Sequence, residues 1–410
     1  MLSHCRVLDL TDDKGFICGR VLADLGADVV KIEPPDGDPS RRIGPYYHDD
    51  PDPEKSLYWF AYNSGKRGIT LNLETSDGRE LFKKLAATAD FVIESFAPGY
   101  MESLGLGYSA LRETRQRIIL ASITPFGQSG PYRDFKTSDL VSMSLGGYVY
   151  LTGDHDRPPV RIGFAQAYLH GGMAAVCGTM IAHYHRELTG EGQWVDVSIQ
   201  EACALIPTDS YNFWEMGGLV EERHGAIRLR PETGARMRRV WKCKDGYVNT
   251  ELYGGGLAGA FTIPLVAWMD EEGMAPDYLK KIDWASFDYS TATREEVDRI
   301  VEAVGRFFLA HTKQELWEGG IKRRCVVYPV ASPEEVVENA HLAARGYWVS
   351  IDHPELGESI IYPGPCVRLS ESSYGRLMRA PLIGEHNREV YSELGLPQKD
   401  LTILKQAGVI

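Results

Sequence analysis

An α/β fold built on a mainly parallel sheet is predicted for the first half of this chain. Short apolar runs alternate with amphipathic stretches, the pattern of repeated βαβ units, and clusters of Pro and Gly stand between the runs as turn signals. Val7–Leu10 reads as the first strand and Ile17–Leu25 as the helix after it. Asp28–Ile32 reads as the second strand, stopped by Glu33-Pro34-Pro35-Asp36-Gly37. A helix near Gly78–Ala87 and strands at Phe91–Glu94 and Ile118–Ile123 come next. A long helical pattern covers about Gly171–Leu188 and ends at Gly190, a residue suited to a left-handed cap. Trp194–Val197 is a further strand, leading into a helix from Ile199.

Near Gly217–Arg239 the composition changes: charge rises and periodicity is lost. Beyond it, Tyr247–Leu252, helices around Glu295–Ala310 and Lys313–Gly319, and Val326–Val330 read as a smaller domain. From about Ser332 the chain reads as irregular segments and turns with a polar tail. The expected division is 1–216, 217–331 and 332–410. Gly254-Gly255-Gly256 lacks the Lys-Ser/Thr of a phosphate loop and the spacing of a dinucleotide site, so it is read as a turn.

The bulk properties exclude several classes. With 410 residues and 43% hydrophobic content, a sizeable core is available. A net charge of −13 argues against a nucleic-acid partner, because phosphate binding needs a basic face. The seven cysteines (5, 18, 177, 203, 243, 325 and 366) are scattered, with no C-x-x-C pair, so free thiols are expected. No run approaches the ~20 apolar residues of a membrane span, and MLSHCRVLDL holds no apolar core of signal-peptide length. A cytoplasmic protein without membrane contact is expected. His183 and His185 have H-x-H spacing, but on a helix their rings diverge by about 200°; no metal is assigned.

Four segments, kept in order, carry a specific resemblance: Val21–Arg41, Asn63–Gly99, Leu104–Tyr132 and Arg161–Ala202. Together they resemble the family III CoA-transferases, the group that includes formyl-CoA transferase, carnitine CoA-transferase and the α-methylacyl-CoA racemases. The resemblance implies a Rossmann-like large domain made from both chain ends, a smaller inserted domain, and an interlocked-ring dimer. It implies coenzyme A or an acyl-CoA as substrate. Arg41 and Lys136 match cations that meet the CoA nucleotide, and Leu71 and Phe96 match apolar positions along the adenine and pantetheine path. Cationic donors suit a tail carrying several phosphate charges.

The catalytic positions depart from the family. Tyr168 stands where the family has the aspartate that attacks the thioester, and a phenol with a reference pKa of about 10 is a poor substitute for a carboxylate of about 4. The loop Thr11-Asp12-Asp13-Lys14-Gly15 is one residue shorter and lacks the family's glutamine. Ser103 replaces an arginine, and a segment from Arg228 to Arg236 replaces the glycine loop. Asp139 and Asp154 lie nearby in sequence without occupying the nucleophile's place, and the racemases' His falls at Ser138. His170 reads either as a base or as a cap or packing residue. The six arginines of Arg223–Arg239 read either as a solvated face or as a site contacting a partner or an anion, with Arg228, Arg230 and Arg236 the candidates.

No catalytic residue is therefore expected in this chain. The leading expectation is a subunit of a CoA-transferase moving CoA between carboxylic acids, for example from succinyl-CoA to an aromatic dicarboxylate. Its partner would be a homologous subunit carrying the aspartate. The alternatives are a stand-alone acyl-CoA isomerase or lyase with altered acid/base chemistry, and a non-enzymatic CoA-binding protein.

Overall fold

A computed structural model of the chain describes residues 2–230, 233–365, 367–371 and 377–410. Cys366, Pro231 and Glu232 lie outside the described residues. The chain divides into two compact units: Met1–Tyr148, Ile162–Tyr211 and Ala340–Ile410 form one, and Val149–Arg161 with Asn212–Asn339 form the other. The expected boundaries at 216/217 and 331/332 lie a few residues away, and the excursion Val149–Arg161 carries no compositional signal.

The larger unit begins with β1 (Arg6–Leu10), α1 (Phe16–Asp24) and β2 (Asp28–Glu33). Then come α2 (Leu57–Asn63), β3 (Arg67–Thr70), α3 (Ser76–Thr88), β4 (Phe91–Glu94), α4 (Tyr100–Ser103), α5 (Tyr108–Thr114) and β5 (Ile119–Thr124). After α6 (Asp139–Leu145) come α7 (Ala167–Thr189), β6 (Trp194–Ser198), α8 (Ile199–Ala204) and α9 (Thr208–Gly217), whose later residues belong to the smaller unit. The six strands are parallel and ordered β3-β2-β1-β4-β5-β6. This order reverses its winding between β1 and β4, and open α/β sheets bind ligands in the crevice beyond the strand ends at such a point.

Local chemistry explains the elements. Thr75 caps α3 by accepting from Gly78 N, and the helix buries Leu81, Phe82 and Leu85. Helix α7 ends at Gly190, whose φ of 79° is left-handed and whose N–H reaches the Arg186 carbonyl. Its first turns lie close to α1: a Cβ on Gly172 would sit 2.2 Å from Ile17 Cγ2, so only glycine fits there. β3 carries no strand signal, because Arg67-Gly68-Ile69-Thr70 is no apolar run.

A buried ionic network lies under this sheet. Lys66 Nζ reaches Asp9 Oδ2 at 2.8 Å, the Phe16 carbonyl at 3.1 Å and Asn63 Oδ1 at 2.9 Å. Asp9 Oδ1 accepts from Thr11 N at 2.9 Å and Thr11 Oγ1 at 2.6 Å, while Lys31 Nζ donates to the Thr11 carbonyl. Burial pushes the Asp9 carboxyl up, but Lys66 and Lys31 outweigh it and hold it below its usual range.

The smaller unit holds the hairpin β7 (Ile227–Arg230) and β8 (Ala235–Arg238), then β9 (Val240–Cys243) and β10 (Gly246–Asn249). Helices α10 (Thr262–Glu271), α11 (Asp277–Lys280), α12 (Arg294–Ala310) and α13 (Lys313–Arg323) come after them, then β11 (Tyr328–Pro329) and α14 (Pro333–Val337). Trp241, Trp268, Phe307 and Phe308 centre its core, and Thr293 with Glu296 forms a capping box on α12. The arginine-rich segment, which lacks periodicity to the eye, is thus in part an ordered hairpin.

The chain then returns to the larger unit through α15 (Ala340–Ala344), the hairpin β12 (Trp348–His353) and β13 (Glu358–Pro363), α16 (Asn387–Glu393) and α17 (Gln398–Gln406). The expected irregular region with a polar tail is corrected here. Gly68 N donates to His386 Nδ1, Thr70 N donates to Asn387 Oδ1, and Tyr391 Oη donates to the Thr70 carbonyl. The C-terminal segment so covers the exposed edge of β3, and Val409 and Ile410 enter the core. Its polar composition hid this, because few of its residues are core and the rest are solvated.

Replacing Lys66 with Met leaves a buried carboxylate short of its partner, and the expected loss is about 3–5 kcal/mol in urea unfolding. Combining it with Asp9→Asn is expected to cost less than the sum of the two single changes, because the uncompensated charge is gone.

Candidate active site

The turns after β1 and β4 meet at the switch point of the sheet. Asp12 N donates to Ser95 Oγ at 2.8 Å, and Ser95 Oγ donates to Asp12 Oδ1 at 2.7 Å. Lys14 N bonds the same carboxylate at 3.1 Å, and the Lys14 ammonium pairs with it. Two cavities open on either side of Ser95 and Phe96. One, of about 390 Å³, is lined by Leu10, Ile32, Leu71, Asn72 and Tyr100. The other, of about 440 Å³, is lined by Lys14, Arg133, Lys136, Thr137 and Tyr168.

Leu71, Phe96, Lys136 and Tyr168, scattered in sequence, therefore gather around one crevice. Lys136 is exposed and makes no ion pair with the described residues. Arg41 does not join them. Its guanidinium is buried, donating to Glu33 Oε2 at 2.6 Å and Oε1 at 2.7 Å, to Glu54 Oε2 at 2.8 Å and to the Pro381 carbonyl at 2.9 Å. It also lies 3.8 Å from the centre of the Trp59 ring. With its donors spent on these partners, Arg41 is a clamp holding the returning C-terminal segment, and the expected contact with a nucleotide phosphate would require these bonds to break. The cations facing the crevice are instead Lys14, Arg133 and Lys136. Lys14 and Arg133 were missed because single cations in loops carry no periodic or motif signal.

Tyr168 stands in the first turn of α7, where its N–H donates to Asp139 Oδ1 at 3.2 Å; Gln166 N reaches the other carboxylate oxygen at 3.4 Å. Asp139 so caps the helix start, where negative charge is favoured. Burial pushes the Tyr168 phenol well above its ordinary range, and Asp13, Asp12 and Asp139 add to the shift. An environment that opposes a phenolate opposes nucleophilic use of this side chain.

Asp13 feels the same crowding. Burial, then Asp12, raise its carboxyl to about 6, against a smaller opposing effect of Lys14. A raised carboxyl binds its proton more tightly folded than unfolded, so the contribution of Asp13 to stability is fullest below about pH 4 and is lost as pH rises through about 6. Asp13→Asn is expected to raise the melting temperature at pH 7.5, with the gain fading below about pH 4; thermal unfolding at the two pH values checks it.

The remaining expected positions are dispersed. His170 Nε2 lies 3.0 Å from Tyr148 Oη, its ring stacks on Tyr148, and burial lowers its pKa, the arrangement of a packing residue. Ser103 is exposed and donates to the Tyr100 carbonyl. His183 does not point toward His185: its ligand atom groups with those of His4 and Cys5 within 4.8 Å. Arg186, however, donates to His183 Nδ1 at 2.8 Å, placing a guanidinium where a metal ion would want anions. In the smaller unit, Arg228 pairs with Met237 and Arg230 with Ala235 across the hairpin, on one face, while Arg236 pairs with Leu229 on the other. The three arginines expected to act together are thus split two and one.

Comparisons with known proteins agree with this architecture. Residues 2–387 match the family model of CoA-transferase family III. The chain is 35% identical over 409 residues to the succinyl-CoA:(R)-benzylsuccinate CoA-transferase subunit BbsE of Thauera aromatica, covering all of this chain and 98% of that one. It is 33% identical over 427 residues to the formyl-CoA:oxalate CoA-transferase of Streptomyces avermitilis, covering 100% and 99%. A CAIB/BAIF family protein of Brucella suis has a similar crystal structure, with a TM-score of 0.81 at 27% identity over 96% of this chain and 99% of that one. The chain belongs to the family III CoA-transferases.

Proposed function

We propose that this chain is the nucleophile-free subunit of a heteromeric CoA-transferase that moves CoA between carboxylic acids, with a homologous subunit supplying the attacking aspartate. The observation that carries the reading is Tyr168, a phenol in the first turn of α7 at the family's nucleophile position, flanked by Asp12, Asp13 and Asp139. Transfer between two carboxylic acids passes through an anhydride and an enzyme thioester, which a carboxylate can form and exchange. A buried phenol whose ionisation is opposed by three acids is unsuited to that step. That one similar protein is itself a subunit, acting on succinyl-CoA and benzylsuccinate by its name, supports a partnered arrangement and a dicarboxylic acid as substrate.

In this reading the crevice still receives CoA. Leu71 and Phe96 offer apolar surface to the adenine and pantetheine, and Lys14, Arg133 and Lys136 offer cations to the phosphates. The interlocked-ring dimer of the family would then join two unlike chains, each burying a large area of the other.

The purified chain alone is expected to transfer CoA at least about a thousandfold more slowly than the chain co-expressed with an aspartate-bearing homologue. Tyr168→Asp is not expected to restore transfer, because a fourth carboxylate beside Asp12, Asp13 and Asp139 would hold its proton. Robust transfer by the chain alone, measured as succinyl-CoA consumed with a carboxylate acceptor, contradicts the reading. Lys136→Met is expected to weaken CoA binding by about tenfold, read by calorimetry.

A further inference from the structure

The smaller unit holds a second concentration of unspent donors, made of residues that take no part in the crevice at the sheet's switch point. Because side chains alternate along a strand, Arg228 and Arg230 share a face of the β7–β8 hairpin with their cross-strand neighbours Met237 and Ala235. Met237 and Ala235 are buried, and the short Ala235 opposite Arg230 leaves room beside it. The result is a small cavity of about 40 Å³, lined also by Glu251, Tyr253 and Tyr289. Its size suits one carboxylate-sized group, little more than the ~30 Å³ a water molecule takes in liquid.

The charges around it do not balance. Glu251 is the acid lining the cavity, and it is already engaged: Tyr253 Oη donates to it at 2.6 Å, Arg239 at 3.1 Å and Arg228 at a long 3.5 Å. Arg230 makes no ion pair with the described residues, and Asp288 feels it only as a minor influence. Three guanidinium groups thus lie near Glu251, the acid lining the cavity, while Asp288, near enough to feel Arg230, does not line it. The Tyr289 hydroxyl is buried and has no hydrogen-bond partner among the described residues, and Arg239 Nε is in the same condition. Buried donors without partners are costly, of the order of 1–3 kcal/mol each, and an anion accepting from them would relieve that cost.

We propose that this cavity is a binding site for a carboxylate group of a small organic acid, held by Arg230 and Arg228 and by the Tyr289 hydroxyl. The planar fork of an arginine matches a carboxylate in two parallel hydrogen bonds, and a phenol adds a third donor. Only the expected source of that carboxylate, a dicarboxylic acyl donor or acceptor, rests on the transferase reading; the site itself does not. Arg236, on the opposite face, takes no part.

Calorimetric titration of the full chain tests it without turnover, so its outcome is separate from that of the activity assay. Succinate is expected to bind, and its neutral diamide, succinamide, is not. Arg230→Met is expected to weaken succinate at least about tenfold. Tyr289→Phe, which keeps the ring and its packing, is expected to weaken it several-fold with an unchanged circular dichroism spectrum. Lys136→Met, which alters the rival cation in the larger unit, is expected to leave succinate affinity unchanged. Equal binding by succinamide overturns the proposal, as does inorganic phosphate binding more tightly than succinate. Loss of succinate binding in Lys136→Met with none in Arg230→Met overturns it as well.

Discussion

The buried pair Asp9–Lys66 is the constraint on which the larger unit depends. It joins the second half of β1 to the residue just before β3, and through the Phe16 carbonyl to the first turn of α1. The same aspartate sets the path of the chain beyond β1, by receiving both donors of Thr11. A Cβ on Gly19 would lie 2.2 Å from Asp9 Oδ2, so α1 reaches this close to the strand only because Gly19 has no side chain. The turn directly after Thr11 holds Asp12, Asp13 and Lys14, and hence one wall of the crevice. Fold and site are linked by one fully buried carboxylate.

That turn sets the electrostatics of the site. Asp12 is tied to Ser95 and Lys14, and its charge, with burial, crowds Asp13 and Tyr168. The crevice has apolar walls and cations, the features that the proposed binding of an acyl-CoA would use. At the start of α7 it presents the Tyr168 phenol, which in the proposed reading stands where the chemical step requires a reactive carboxylate. A chain with these properties makes physical sense as one member of a pair, in which ligand-facing surface and nucleophile are divided between homologous subunits.

Much of this was legible in the sequence, for reasons that differ by element. β4 and β5 sit inside the sheet and read as short, almost wholly buried runs because both faces of a parallel sheet are covered, β1 and β2 are apolar apart from charges such as Asp9 and Lys31, and α7 announces its end with Gly190. Leu71, Phe96, Lys136 and Tyr168 were found through the family pattern and meet at one crevice. Arg41 obeyed the same pattern yet is buried against Glu33 and Trp59, since a sequence match says nothing about which way a guanidinium turns. β3 and the C-terminal cover of its edge were invisible, because their stability lies in hydrogen bonds between residues more than 300 apart in the chain rather than in local periodicity. The cavity under the β7–β8 hairpin depends on Tyr253 and Tyr289, which no spacing connects to the arginines.

The most direct measurement of the central claim is where the acyl group becomes attached. The chain co-expressed with an aspartate-bearing homologue would be incubated with succinyl-CoA, quenched with hydroxylamine or borohydride, and each polypeptide weighed by intact-mass spectrometry. The account predicts a modified partner and an unmodified mass for this chain. A covalent adduct on this chain, at Tyr168 or at any of Asp12, Asp13 and Asp139, would contradict it.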